Sequence, residues 1–269
     1  MKYILYEVKD AVGTITLDRP KKANAQNELF LDELDECFTR AEMDDDVRVI
    51  VMRATGKHFS AGHDLDLEDP DAPQIHEPDG TYRLDTMYRW EARKYFGYSW
   101  KWRNIPKPTI AAVQGKAIAG ALDLIFPMDL IVAADNALFS DPTVLMASCG
   151  VEYHGHTWDL GARRAKDMLF TRRAMGAQEA LQCGFVREVV PVDDLWDNVD
   201  ALAREIATQH PFGLAQAKRA VNQTLDVQGY YAALQSVFDI HHTAHGNAMS
   251  YTGHPILMKL DEMKGALKK

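Results

Sequence analysis

The sequence predicts an α/β fold: strands that alternate with helices in the first half, then a run of helices that closes the chain. Three observations carry that expectation. Short β-branched runs recur, and most are followed by a helical pattern. Two of the runs lead into glycine-containing turns, Phe59-Ser-Ala-Gly-His-Asp-Leu65 and Gly115-Lys-Ala-Ile-Ala-Gly-Ala-Leu-Asp-Leu124. Beyond Pro142, apolar residues recur mostly at helical spacing.

The elements follow in order. Tyr3–Val8 and Val12–Leu17, separated by Lys-Asp-Ala, read as a hairpin. Asn27 to about Met43 carries Phe30, Leu34, Cys37, Phe38 and Ala41 on one stripe, which predicts a helix with an acidic outer face. Val47–Arg53 is apolar except for its arginines, as in a strand buried on both faces. Asp64 to Gly80 is rich in Asp, Glu and Pro and reads as a solvated loop without the spacing of a calcium loop. Tyr82 to about Trp102 is aromatic and helical, and Pro106-Lys-Pro ends it. Thr109–Val113 and Leu130–Ala134 are apolar strands, Ala137–Ser140 is a short one, and Val186–Val190 is the last. Helices are expected at about Trp158–Phe170, Ala177–Gln182, Leu195–Thr208, Gly213–Thr224 and Tyr230–His245. A division at residues 1–195 and 196–269 separates the sheet-forming part from the terminal helices.

At 269 residues and 46% hydrophobic, the chain can bury a full core. A net charge of −9 argues against general nucleic-acid binding, which needs a basic face. The three cysteines, Cys37, Cys149 and Cys183, have neither zinc nor disulfide spacing, as in a reducing cytosol. The start of the chain has no signal-peptide pattern, and no apolar run nears a membrane span, so a cytoplasmic protein that does not enter membranes is expected.

The two glycine turns carry the chemistry. Each can hold a backbone N–H at the end of a strand, and two N–H groups aimed at one point stabilise a developing oxyanion. Glycine and small neighbours let a ligand approach the backbone. Asp123 follows Gly120 by three residues, which adds an acid beside an activated carbonyl. Two ordinary strand-to-helix turns would also need these glycines.

Together these segments resemble the crotonase superfamily, also called the enoyl-CoA hydratase/isomerase family. The resemblance rests on Leu17-Asp-Arg-Pro-Lys-Lys-Ala-Asn24, Phe59-Ser-Ala-Gly-His-Asp64 and Lys107-Pro-Thr-Ile-Ala-Ala-Val-Gln-Gly115. It continues through Met128-Asp-Leu-Ile-Val-Ala-Ala-Asp135, Phe139-Ser-Asp-Pro142, Ala177-Gln-Glu-Ala-Leu-Gln-Cys-Gly-Phe-Val186 and Val189-Val-Pro191. It implies a spiral of ββα units with a C-terminal helical region that forms trimers, often paired into hexamers. It also implies an acyl-CoA thioester substrate and an enolate held by the backbone N–H groups of His63 and Gly120. Neither a metal nor a redox cofactor is implied; coenzyme A enters with the substrate.

Substrate-binding positions implied by the resemblance are Lys22, Ala23, Ala61, Gly62, Asp64, Leu65 and Thr143, with Arg19 and Lys21 in the basic loop. Hydratase relatives use two acids. Asp123 stands at the first position, and Thr143 stands where the second acid is expected. Threonine is no general base near neutral pH. Glu152 lies close to the offset at which the dienoyl-CoA isomerase branch carries a further acid, and His154 or His156 can serve instead. Glu152 also reads as an ordinary loop carboxylate, the histidines as surface or hydrogen-bonding groups, and Asp123 as a helix-capping acid. His63 contributes its backbone N–H in this scheme, so its imidazole is a separate question: the position tolerates many side chains in the family, and a catalytic imidazole is the alternative. The aromatic stretch with Tyr82, Met87, Tyr88, Trp90, Tyr95, Phe96, Trp100 and Trp102 either walls an acyl pocket or packs helices. Hydration of a 2-enoyl-CoA is the first activity implied. Double-bond isomerisation through Asp123 and Glu152 is the second, and an acyl-CoA-binding protein with weak catalysis is the third.

Overall fold

The computed structural model describes residues 1–66, 69–73, 75–77, 79–258, 262 and 265. Strands β1 (Ile4–Lys9) and β2 (Val12–Leu17) form the expected hairpin. Its two-residue turn puts Asp10 and Ala11 at φ 51° and 61°, a twist that matches two antiparallel strands. Helix α1 (Glu28–Met43) is capped by Asn27, whose Oδ1 accepts from Phe30 N at 3.0 Å. β3 (Val49–Ala54) follows it.

The single aromatic helix expected over 82–102 is two helices, α2 (Leu84–Lys94) and α3 (Phe96–Arg103). The chain bends at Tyr95 and brings Gly97 under the turn before it: a Cβ there would lie 2.7 Å from Ala92 O. Next come β4 (Thr109–Val113), the unforeseen short strand β5 (Lys116–Ile118), α4 (Ala121–Ile125), β6 (Leu130–Ala134) and β7 (Leu138–Ser140). α5 (His156–Thr171) is interrupted at Gly161, where φ is 74° and ψ 153°. β8 (Met175–Gly176), α6 (Ala177–Gln182) and β9 (Glu188–Val190) lead to α7 (Leu195–Ala207), α8 (Pro211–Val227) and α9 (Tyr230–Thr252).

The main sheet has the order β1-β2-β3-β4-β6-β9, parallel except for β1, and β5, β7 and β8 form a second, smaller sheet. Side chains alternate across the main sheet. Ile15, Leu17, Ile50, Met52, Ala111, Val113 and Ala133 enter the larger core beneath α1, α3 and α4. Val12, Val49, Val51, Ile110, Ala112, Val132 and Ala134 face Leu195, Val199, Leu202 and Ala203 of α7. Both faces are thus covered, as the near-continuous apolar strands require. α7, at the head of the terminal helical run, is a layer on this sheet. α8 contributes no buried apolar residue and leaves Phe212, Val221 and Val227 exposed, while its Lys218 side chain is sealed against Asp129 at 2.8 Å.

The loop after residue 63 is less solvated than expected. Arg19, Asp64 and Asp69 are inside: Arg19 Nη1 donates to Asp64 Oδ2 at 2.5 Å and Nη2 to Asp69 Oδ2 at 2.6 Å. A guanidinium can hold two carboxylates at once, and that folds this acidic stretch onto the body of the chain. Asp71 is held by Lys2 and Tyr3, while Glu68 lies outside the described residues.

Candidate active site

The segment 59–64 threads between two others by backbone hydrogen bonds. On one side, Ala61 N donates to Ala23 O and Asp64 N to Gln26 O, both at 2.9 Å. On the other, Phe59 N donates to Gln114 O at 2.9 Å and Ile118 N to Ser60 O at 3.1 Å. Gly62 sits at φ 86°, and a Cβ there would lie 2.5 Å from Ile118 O and 2.9 Å from Gly120 N. Only glycine allows this approach. It brings the N–H-bearing ends of the two glycine turns side by side. Gln26 Nε2 also ties the pair by donating to Gly120 O at 3.0 Å.

The His63 imidazole lies directly over Gly120: a Cβ on that glycine would be 2.3 Å from its Nε2 and Cδ2. The ring stacks on Tyr95, with centroids 3.7 Å apart and planes 7° from parallel. Its Nε2 is 3.5 Å from Asp123 Oδ2 and 3.6 Å from Glu152 Oε2. Both carboxylates are nearly sealed, at 2% and 3% exposure. Asp123 and Glu152 therefore converge on one imidazole, although they come from α4 and from the loop before α5.

Two contacts hold the loop that carries Glu152. Tyr153 N donates to Asp123 Oδ1 at 2.9 Å. Val151 N donates to Asp141 Oδ2 at 3.2 Å, and that oxygen lies 3.0 Å from His156 Nε2 in a fully buried pair. His156 thus braces the loop.

The electrostatics split the two acids. Burial, and then the Glu152 charge, push Asp123 up to about 8. Burial opposes ionisation of Glu152 as well, but His63 and His241 outweigh it and hold its carboxyl well below the usual range. Burial favours neutral His63, and the Glu152 and Asp123 carboxylates reverse that and raise it above the ordinary imidazole value. The two acids are thus pushed in opposite directions, Asp123 toward holding a proton and Glu152 toward releasing one.

The remaining sequence candidates divide. His154 forms no ion pair or hydrogen bond with Asp123 or Glu152 among the described residues: its ring packs on His156, 4.4 Å between centroids, and beside Gly150. Burial, and then His156, push its imidazole down to about 3, so it is neutral across the physiological range. Thr143 begins a short 3-10 turn, buried, with its Oγ1 in no hydrogen bond. Ala23 and Ala61 are joined through their backbones, with Leu65 half-buried nearby in sequence. Lys22 is exposed and pairs with Asp66 at 2.9 Å. The carboxylate of Asp64 is occupied by Arg19, and Arg19 is itself buried, so neither charged group is free for a ligand.

Tyr95, from the aromatic stretch, does reach the site, at the bend after α2. Sequence reasoning missed a second layer: Glu91 from α2, and His241, His242 and His245 from α9. His241 Nε2 is 3.2 Å from Glu152 Oε1, and His242 Nε2 is 3.0 Å from Glu91 Oε2. The signal was present as three histidines within five residues of one helix, two of them four apart and so on one face.

The site thus sets two glycine turns beside a pair of buried acids in an α/β fold, and the comparisons with known proteins show where that fold recurs. A solved structure titled "Crystal structure of probable enoyl-COA hydratase from mycobacterium thermoresistibile" superposes with a TM-score of 0.90 at 60% identity, covering 95% of this chain and all of that one. The Mycobacterium tuberculosis protein named "Putative enoyl-CoA hydratase EchA13" is 40% identical over 94% of this chain and 83% of its own length. The 1,2-epoxyphenylacetyl-CoA isomerase of Escherichia coli is 32% identical over 85% of this chain and 86% of its own. The model of the enoyl-CoA hydratase/isomerase family matches residues 7–251, and the chain belongs to that family. Among the described residues no helix is long and apolar enough to cross a membrane.

Proposed function

We propose that this chain hydrates a 2-enoyl-CoA thioester, with Asp123 and Glu152 as the acid–base pair. The observation that carries the reading is the convergence of both carboxylates on His63 Nε2, at 3.5 and 3.6 Å. The thioester oxygen sits against the backbone N–H groups of His63 and Gly120. Ionised Glu152 takes a proton from water as the water oxygen bonds to the β-carbon. The electron pair of the double bond moves onto the thioester as an enolate, which the two N–H groups stabilise. Protonated Asp123 then delivers its proton to the α-carbon. The His63 imidazole, in reach of both acids, returns the proton from Glu152 to Asp123 and closes the cycle.

Family membership and the relatives named as hydratases support this reading. The basic residues Lys21 and Lys22 beside the site suit coenzyme A phosphates, and the exposed apolar side chains of α8 suit contact between subunits of a trimer. The test is loss of the conjugated thioester absorbance of crotonyl-CoA. Turnover that Asp123→Ala abolishes is the expected result. Thioester binding without turnover of any enoyl substrate would overturn it.

A second reading, double-bond isomerisation, uses the same pair as a shuttle between two carbons. The isomerase among the relatives favours it. Glu152→Gln separates the roles: full retained activity on a 3-enoyl or dienoyl substrate would remove Glu152 as the shuttle.

A further inference from the structure

The four side chains of Glu91, Glu152, His241 and His245 place one potential ligand atom each within 4.8 Å of one another, all buried. Hydrogen bonding fixes which ring nitrogens are available. His241 Nδ1 is 2.8 Å from Gly150 O, and His245 Nδ1 is 2.6 Å from Pro255 O. A carbonyl oxygen only accepts, so Nδ1 carries the proton in both rings. In the neutral imidazole that leaves the lone pair on Nε2. The two Nε2 atoms nonetheless face each other at 2.7 Å. His242 repeats the pattern: its Nδ1 is 2.9 Å from Phe238 O and its Nε2 points at Glu91 Oε2.

Lone pairs aimed at lone pairs and at two sealed carboxylates need positive charge between them. Either extra protons sit on several of these rings, or one cation does the work. Glu91 Oε2 is buried, at a residue 3% exposed, and makes no hydrogen bond of good geometry. No lysine or arginine forms an ion pair with Glu91 or Glu152 among the described residues. An imidazole whose Nδ1–H is pinned to a backbone carbonyl, with Nε2 turned inward, is the usual outer support of a metal-ligating histidine.

We propose that Glu91, Glu152, His241 and His245 form a binding site for a divalent transition-metal ion of the zinc class. Two imidazole nitrogens and two carboxylate oxygens make a four-coordinate set suited to that ion, and two carboxylates balance its charge. All four positions come from protein, so the site is a structural one that joins α2, the Glu152 loop and α9. Glu152 uses Oε1 toward the histidines and keeps Oε2 toward His63. A metal in this place departs from what the family resemblance implies.

The test is metal binding, independent of any turnover. Protein purified without chelator is analysed for metal content, then stripped and titrated with cobalt(II). The expected result is about one equivalent of a transition metal per chain, and a cobalt(II) d–d spectrum of a four-coordinate site. His245→Ala and Glu91→Gln, checked for folding by circular dichroism, should weaken cobalt binding at least ~100-fold. Folded wild-type protein that holds no stoichiometric metal and gives no cobalt spectrum overturns the site, and the four groups then share protons instead. That outcome leaves the hydratase reading untouched, and failure of crotonyl-CoA turnover leaves the metal site untouched.

Discussion

Tyr153 donates its backbone N–H to Asp123 Oδ1 at 2.9 Å, so the residue that follows one acid is fastened to the other. The spacing of the pair is set by this bond and not by flexible side chains alone. Asp123→Asn keeps an oxygen to accept that bond and loses only the transferable proton. It should lower crotonyl-CoA turnover by about 10²–10⁴-fold with little change in melting temperature. Asp123→Ala also frees the loop, so it should lose stability as well as turnover. Equal melting temperatures for the two variants would show that the bond does not position Glu152.

The split titration predicts an asymmetric pH profile. Catalysis needs protonated Asp123, which burial and the Glu152 charge push up to about 8. The rate should therefore fall as pH rises through about 8. Ionised Glu152 is held low against burial by His63 and His241, so the acidic limb should lie below the ordinary carboxylate range. Initial rates of kcat/KM across pH check both limbs.

His63 contributes its N–H through the backbone, so His63→Ala keeps the proposed oxyanion contact. It removes a positive charge that lowers Asp123. The alkaline limb should consequently move to higher pH in the variant, with turnover reduced but measurable. An unchanged limb would mean that the imbalance of the two acids does not depend on the imidazole.

Arg19 holds Asp64 and Asp69 inside the chain. Removing one member of a buried ion pair leaves uncompensated charge, typically at a cost of about 3–5 kcal/mol. Arg19→Met should unfold at clearly lower denaturant concentration. A variant with Asp64→Asn and Asp69→Asn added should recover part of that loss, which chemical denaturation can read.

Asp159 sits in the first turn of α5, and its Oδ2 is buried with no hydrogen-bond partner. Burial raises it from 3.8 to about 7, against the pull of Arg103. The folded chain thus keeps a proton that the unfolded chain has released between those values. Stability falls as pH rises through that window and stays lower above it. Asp159→Asn carries no such penalty. Its melting temperature should match wild type near about pH 4 and exceed it by several degrees near about pH 8.

Much of this was legible because local and global preferences agree. β2, β4, β6 and α6 have the boundaries that their apolar runs and flanking turns announce. β5 and β8 were not legible, because three residues and two residues have no periodicity of their own and become strands only by pairing with distant segments, β7 for both and Ser60 for β5 as well. The bend at Tyr95 depends on Gly97 meeting Ala92 O, a contact that helix propensity does not record. In the site, Asp123 and the glycine turns stood in recognisable motifs. His241 and His245 read as part of a helix, because their meaning lies in Glu152, which only the fold brings to them.

That long-range dependence has a consequence for synthesis. The strands of the main sheet are all made before α8 and α9 emerge. Until α9 docks, Glu152 lacks the imidazole that faces its Oε1. A carboxylate without a counter-charge resists being closed into a protein interior. The growing chain can therefore assemble its sheet early while the Glu152 loop stays open to water, and α9, made after every strand of that sheet, is the helix that lets the site seal.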